Sequence, residues 1–235
     1  MSVGAQDWID HSSVDHAIWD RWPAYRVVLV AVDHVDVEPL RPVAAQLLAD
    51  AHHSVRTSDT GEPDAHTARW HDAFRDIGIK PRIARPSSDA LVRRAASERG
   101  LPSIGVLVDL YNAISVLHRV PIGGEDLDRY DGWARLAPAV GDEPFHTASD
   151  GEAIVDLPEP GEPVWLDGGG VTCRRWNWRQ TTRTAIHAGT TRVGFIVDSL
   201  DAPDHRGAHA AVEQLVGLLP GAIVRTIDHP DAGAR

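Results

Sequence analysis

The chain has 235 residues, enough to bury a full core as one domain or two packed lobes, and its 43% apolar and 6% aromatic content describes an ordered globule. Asp and Glu outnumber Lys and Arg by 34 to 23, and a net charge of -11 opposes a broad grip on polyanions, so no DNA partner is expected and any RNA contact must be local. Cys173 is the sole cysteine, which rules out an internal disulfide and a thiolate zinc cluster.

The N-terminal 22 residues carry Asp7, Asp10, Asp15 and Asp20 and lack the apolar stretch of a secretory signal. The longest apolar run, residues 27–32, is strand length and far short of a membrane span. A cytoplasmic protein without a membrane partner is expected.

Residues 25–33, YRVVLVAVD, read as a buried strand because the run is short, Val-rich and bounded by polar residues. Residues 37–55 read as a helix with Leu40, Val43, Ala44, Leu47 and Leu48 on one face, its start blurred by Pro39 and Pro42. A second helix over 64–76 places Trp70 and Phe74 four apart and stops before Gly78. After a proline-bounded connection at 80–86, Ser87, Ser88 and Asp89 start a helix running through Ala96, and Pro102-Ser103 opens another over 104–119, with a stripe of Leu107, Leu110 or Tyr111, Ile114 and Leu117. Beyond Pro121 the pattern turns to short strands and turns, with Pro158, Pro160 and Pro163 interrupting any long helix. Residues 164–166 and 171–178 flank Asp167-Gly168-Gly169-Gly170 as a hairpin. Strands follow at 194–198 and 222–227, with a helix over 208–219 between them. The elements predict an α+β fold, a mostly antiparallel sheet with packed helices. Residues 1–24 are expected as an extension, 25–228 as one domain of two packed lobes meeting near 86–102, and 229–235 as a tail.

Three segments carry candidate chemistry. In LPSIGVLVDLYNAISV, residues 101–116, Asp109 and Asn112 lie three apart on an apolar helix and project from the same side; they either line a cavity or tether the helix to a loop. In PIGGEDLD, residues 121–128, Gly123 and Gly124 let main-chain amides approach a carboxylate or oxyanion, or else serve a turn before a short helix at 125–130, with Glu125, Asp126 and Asp128 solvated. In CRRWNWRQ, residues 173–180, strand alternation sends Cys173, Arg175, Asn177 and Arg179 to one face as donors for carboxylate or phosphate, and Arg174, Trp176, Trp178 and Gln180 to the other. Trp176 and Trp178 either stack on a ligand or pack a core.

Weaker signals predict no metal and no cofactor. His205 and His209 are four apart but lack a third ligand, Cys173 reads as a packed residue, and there is no HExxH, P-loop or GxSxG.

The stretch VDLYNAISVLHRVPIGGEDLD, together with CRRWNWRQ and WHDAFRDIGIKPRIARPS at 70–87, resembles the B3/B4 domain family, and in particular the editing module of the phenylalanyl-tRNA synthetase beta subunit; the likeness spans roughly residues 25–198. That resemblance implies a B3/B4-like fold and an aminoacyl ester or aminoacyl-tRNA ligand. The asparagine of the family pattern falls on Asn112, the threonine before it on Tyr111 and the editing histidine on Gly123. The glutamate that reads a tyrosine hydroxyl falls on strand 194–197, which here holds Gly, Phe, Ile and Val. The expected activity is trans-acting deacylation of aminoacyl-tRNA, or binding of the tRNA 3′ end, by a chain that does not itself aminoacylate. Gly123 and Gly124 amides would hold an oxyanion, Asn112 would position water or substrate, and Glu125 is a candidate base. Arg175 and Arg179 would hold phosphate or carboxylate, with Asp109, Tyr111, Trp176, Asn177, Trp178 and Gln180 around the substrate. The competing expectation is a non-catalytic binder of a free amino acid or amino-acid-like molecule.

Overall fold

The computed structural model describes residues 3–57, 64–80, 83–149, 151–200 and 205–230; residues 81–82 of the expected connection and 231–235 of the expected tail lie outside them. The N-terminal region is part of the core. It forms α1 (Ala5–His11), β1 (Ser13–Val14) and α2 (His16–Arg21), and Asp15 caps α2 by accepting the Ala17 N–H. Trp8, Ile18 and Trp19 are buried there, and Asp7, Asp10 and Asp20 lie on the exposed face of the same helices.

The apolar run becomes β2 (Arg26–Val32), buried from Val27 onward because both of its faces are covered. Four helices follow: α3 (Arg41–Thr57), α4 (Ala65–Asp76), α5 (Ser87–Ala96) and α6 (Val106–His118). Pro42 sits in the first turn of α3, where its missing N–H costs nothing. Instead of the short helix expected at 125–130, the chain forms β3 (Ile122–Asp126), and Glu125 and Asp126 are buried rather than solvated. Pairing on both sides overrides their charge: β10 takes one edge of β3, and Asp126 N–H donates to Thr184 O at 2.8 Å on the other. Then come β4 (Arg135–Pro138), β5 (Phe145–Ser149), β6 (Glu152–Asp156), β7 (Pro163–Asp167), β8 (Gly170–Arg174), β9 (Arg179–Gln180), β10 (Val193–Ser199), α7 (Arg206–Leu218) and β11 (Ile223–Ile227).

Two main sheets result. One has the order β11-β2-β10-β3 and is antiparallel throughout. The other, β1-β4-β7-β8-β9, is antiparallel except for the β1–β4 pair, and β5 with β6 makes a separate hairpin. Successive residues of a strand face opposite sides, so Val28, Val30, Phe195 and Val197 pack with the α3, α6 and α7 cluster. Leu29, Ala31 and Ile196 belong to the opposite cluster, with Trp8, Trp165 and Trp176. The fold is α+β.

Residues 173–180 are not one strand. Cys173 pairs with Gln180 and Arg174 with Arg179 across a turn at 175–178, so the alternation of faces expected for a continuous strand does not hold. Trp176 takes a left-handed φ of 64°, rare for so bulky a residue. Its ring is held within 5.1 Å of Trp70, 5.0 Å of Tyr25 and 4.6 Å of Trp22 between centroids. Buried ion pairing anchors the same turn. Arg174 donates to both oxygens of Glu162 at 3.0 Å and to Asp156 at 2.5 Å, and Arg175 Nε lies 3.2 Å from Glu162. Glu162→Ala strands the Arg174 guanidinium in the interior and is expected to cost about 3–5 kcal/mol, read as a lowered urea midpoint.

Candidate functional site

Tyr111, Asn112, Gly123, Glu125, Trp176, Asn177, Trp178, Arg179 and Gln180, drawn from all three candidate segments, line one cavity of about 240 Å³. It lies against the β3 edge of the first sheet. The start of α5 contributes Ser87, and the second sheet contributes Trp165 and Cys173. The cavity depends on register. Gly123 pairs with Ile196 and Glu125 with Gly194, so alternation puts Gly123, Glu125, Ile196 and Asp198 on the same face.

Three candidate residues are placed elsewhere. Asp109 turns back to the start of its own helix and accepts from Ile104 N–H at 2.7 Å, Gly105 N–H at 3.3 Å and Ser103 Oγ at 2.6 Å; it is the tether and does not line the cavity. Arg175 is spent on Glu162, and its guanidinium lies 5.0 Å from the Trp178 ring centroid, outside the cavity. Gly124 packs beneath Tyr111: a Cβ there would stand 2.7 Å from Tyr111 Cε1, whereas one on Gly123 would meet nothing within 4 Å.

Ladder alternation also decides what the glycine amides do. Asp198 N–H donates to Pro121 O and Leu127 N–H to Arg192 O, each at 3.1 Å, so residues 121, 123, 125 and 127 turn their main-chain groups to the β10 side. Residues 122, 124 and 126 turn outward, and accordingly Gly124 C=O accepts from Gln180 Nε2. The Gly123 amide is therefore committed to the sheet and Gly124 is off the cavity. The pair of oxyanion donors expected from the glycines is not presented there.

The sequence reading passed over Asp198, Ser87 and Trp165. Asp198 was readable as the polar residue two after Ile196 on a strand, hence on the same face. Its carboxyl is buried and accepts the Tyr25 hydroxyl at 2.5 Å. Burial pushes it up from 3.8 to about 7, while Tyr25, the Trp165 indole and the Asn177 amide pull it down. The indole and the amide do so from outside hydrogen-bond geometry, because neither finds a partner among the described residues. Ser87 Oγ is likewise unpartnered, and Ser87 N–H donates to Asn177 O at 3.2 Å. Asn177 is 7% exposed with both amide atoms unpaired. Each unmade buried hydrogen bond costs about 1–3 kcal/mol, so this end of the cavity is built to meet a polar group.

At the other end burial pushes Glu125 up to about 8, against hydrogen bonds from Thr184 and Gln180. It holds its proton near neutral pH and is an acid there, not the base expected. Burial, with Glu125 and Asp198 adding to it, also raises the Cys173 thiol, which stays protonated and is no nucleophile. Arg179 is exposed at the rim, 5.1 Å from the Trp178 ring centroid, without an ion pair among the described residues. No group of three or more His, Cys, Asp or Glu among those residues is arranged for a metal.

Gly124→Ala drives a methyl into Tyr111 and is expected to cost about 1–3 kcal/mol, while Gly123→Ala leaves the denaturation midpoint unchanged. Asp198 also makes a signed prediction. Its folded pKa lies above its unfolded one, so the folded chain binds the extra proton between about pH 4 and about pH 7, and stability from this group falls as pH rises through that window. Urea midpoints measured across it should show Asp198→Asn gaining on the parent chain as pH rises; a constant difference would mean that Asp198 is ionised normally.

The B3/4 domain model matches residues 69–213, a span that includes every residue lining the cavity. No curated protein matches the chain. Among solved structures, an N-terminal fragment of the phenylalanyl-tRNA synthetase beta-subunit from Pyrococcus horikoshii is similar at 13% identity and a TM-score of 0.42, over 91% of this chain and 50% of that one. The chain thus spans half the length of that fragment. No helix among the described residues is long and apolar enough to cross a membrane. With more than half of its length matched, the chain belongs to the B3/4 domain family.

Proposed function

We propose that the cavity holds the aminoacyl group carried on the 3′ end of a tRNA, and that the chain releases it by ester hydrolysis, acting in trans on tRNA charged elsewhere. The observation that carries this reading is a cavity of about 240 Å³ with unpartnered Asn177 and Ser87 groups on its wall and the exposed Arg179 at its rim. That volume lies below the ~300–1,000 Å³ of sites for drug-sized ligands and suits an amino-acid side chain rather than a nucleotide. The tRNA would stay outside, touching Arg179 and Trp178, a local contact compatible with a net charge of -11. The resemblance of VDLYNAISVLHRVPIGGEDLD to the editing stretch of the synthetase supports the same ligand.

In this mechanism water attacks the ester carbonyl. The Asn112 and Gln180 amides hold the carbonyl oxygen or the attacking water, and Glu125, holding its proton, hands it to the departing ribose oxygen and is restored by the proton that the added water gives up. Tyr111 and Trp176 form apolar wall.

A second reading, non-catalytic binding of a free amino acid or amino-acid-like molecule, is favoured by the commitment of the Gly123 amide to the sheet, which takes away an expected oxyanion donor. A panel of correctly charged and mischarged tRNAs separates the two. Hydrolysis predicts that one species is cleared above its spontaneous rate, with at least about tenfold loss in Asn112→Ala and in Arg179→Ala. No clearance, with a free amino acid raising the melting temperature and no salt-sensitive tRNA retention in a gel shift, would replace hydrolysis by binding.

A further inference from the structure

We propose that the cavity selects an occupant whose buried end is a protonated amine, so that aminoacyl groups with an ammonium-tipped side chain are preferred over neutral ones of the same length. This rests on the reading of the cavity as an amino-acid site and names the class of side chain it takes. Asp198 and Glu125 both line the cavity at 2% and 1% exposure, and neither forms an ion pair with a cation among the described residues. Several other buried carboxylates are matched by cations, Glu162 by Arg174, Asp167 by Arg183 and Asp89 by Arg93 and His71, and Asp109 is instead satisfied by two main-chain N–H groups and Ser103 Oγ. Buried charge is ordinarily paired, so the unmatched Asp198 carboxyl, with unpartnered Asn177 on the same wall, defines a place for a cation brought by a ligand, while Glu125, which holds its proton, lies toward the ester end.

The neighbouring groups fit the same occupant. Asn177 lines the same cavity with an unpartnered Oδ1, a second acceptor for an ammonium. Trp165, Trp176 and Tyr111 supply aromatic wall, which attracts cations across its ring faces. The only cation lining the cavity, among the described residues, is Arg179, exposed at the rim and placed to meet the carboxyl or phosphate end of the same ligand. The titratable groups around Asp198 are Tyr25, from the segment before β2, and Cys173 of β8; Glu125 of β3 and Arg179 of β9 share the cavity wall. Tyr25 and Cys173 are both raised and stay neutral near pH 7, so they do not compete for an ammonium.

Calorimetric titration of the intact chain with L-lysine, L-ornithine and L-norleucine, which carries a methyl group where lysine has its ammonium-bearing end, tests this at pH 8 and pH 6. Lysine or ornithine is expected to bind at least about tenfold tighter than norleucine at pH 8, and about tenfold weaker at pH 6 than at pH 8, because Asp198, which titrates at about 7, takes up a proton. Norleucine should be indifferent to pH. Asp198→Asn should abolish the preference, and Asn177→Ala, which leaves the Tyr25–Asp198 pair in place, should weaken lysine and spare norleucine. Norleucine binding as tightly as lysine at both pH values overturns the ammonium inference while the amino-acid site stands. Binding of none of the three overturns both.

Discussion

The pairing of β3 with β10 is the constraint from which the site follows. Its register sets Gly123 opposite Ile196 and Glu125 opposite Gly194, and alternation then delivers two carboxyls, Glu125 and Asp198, to the same face of the sheet. A slip of β3 by one residue against β10 would send Glu125 to the helical side, among Phe195, Val197 and Ile114, and leave Asp198 on the cavity face. Gly124 secures the register from behind, since only a residue without Cβ lets Tyr111 lie on the strand at that point. The same pairing turns the Gly123 amide into the sheet, so the feature that creates the cavity also removes a donor that hydrolysis was expected to use.

The opposite wall is held by a different force. The turn at 175–178 carries Trp176 in a left-handed conformation, a strain of about 1–3 kcal/mol that persists because the ring is locked among Trp22, Tyr25 and Trp70 and the flanking arginines are clamped on Glu162. Held in this way, the turn can present Asn177 unpaired to the cavity, a cost that a well-packed core would not otherwise bear. Stability here is concentrated around the site instead of being drawn from it.

Much of this was readable from residues alone. The run YRVVLVAVD gave its strand because continuous Val signals burial on both faces, and α3 to α6 followed from apolar spacing; the helix start read at Ser87-Ser88-Asp89 is where α5 begins, although no side chain caps it there. The three chemically suggestive segments converge on one cavity, although Asp109 and Arg175 prove to be tied up in a helix start and a buried ion pair. What escaped depends on contacts distant in sequence. The break at 175–178 is imposed by aromatic packing and by Glu162, neither of which local alternation can register. The burial of Glu125 and Asp126 requires partners on both edges of a strand, including Thr184, some sixty residues on. Asp198 was overlooked because it ends an apolar run, although its parity with Ile196 was there to be counted.

The most direct test of the central claim, that this cavity is where the ligand sits, is a nuclear magnetic resonance titration with a non-hydrolysable 3′-aminoacylamino-adenosine, following side-chain amide and indole N–H signals. The account predicts that Asn177 and the Trp165 and Trp176 indoles shift, while the indole of Trp8, also buried and unpartnered but outside the cavity, stays in place. Shifts confined to the exposed Trp133, or no shift at Asn177 under saturating ligand, would contradict it.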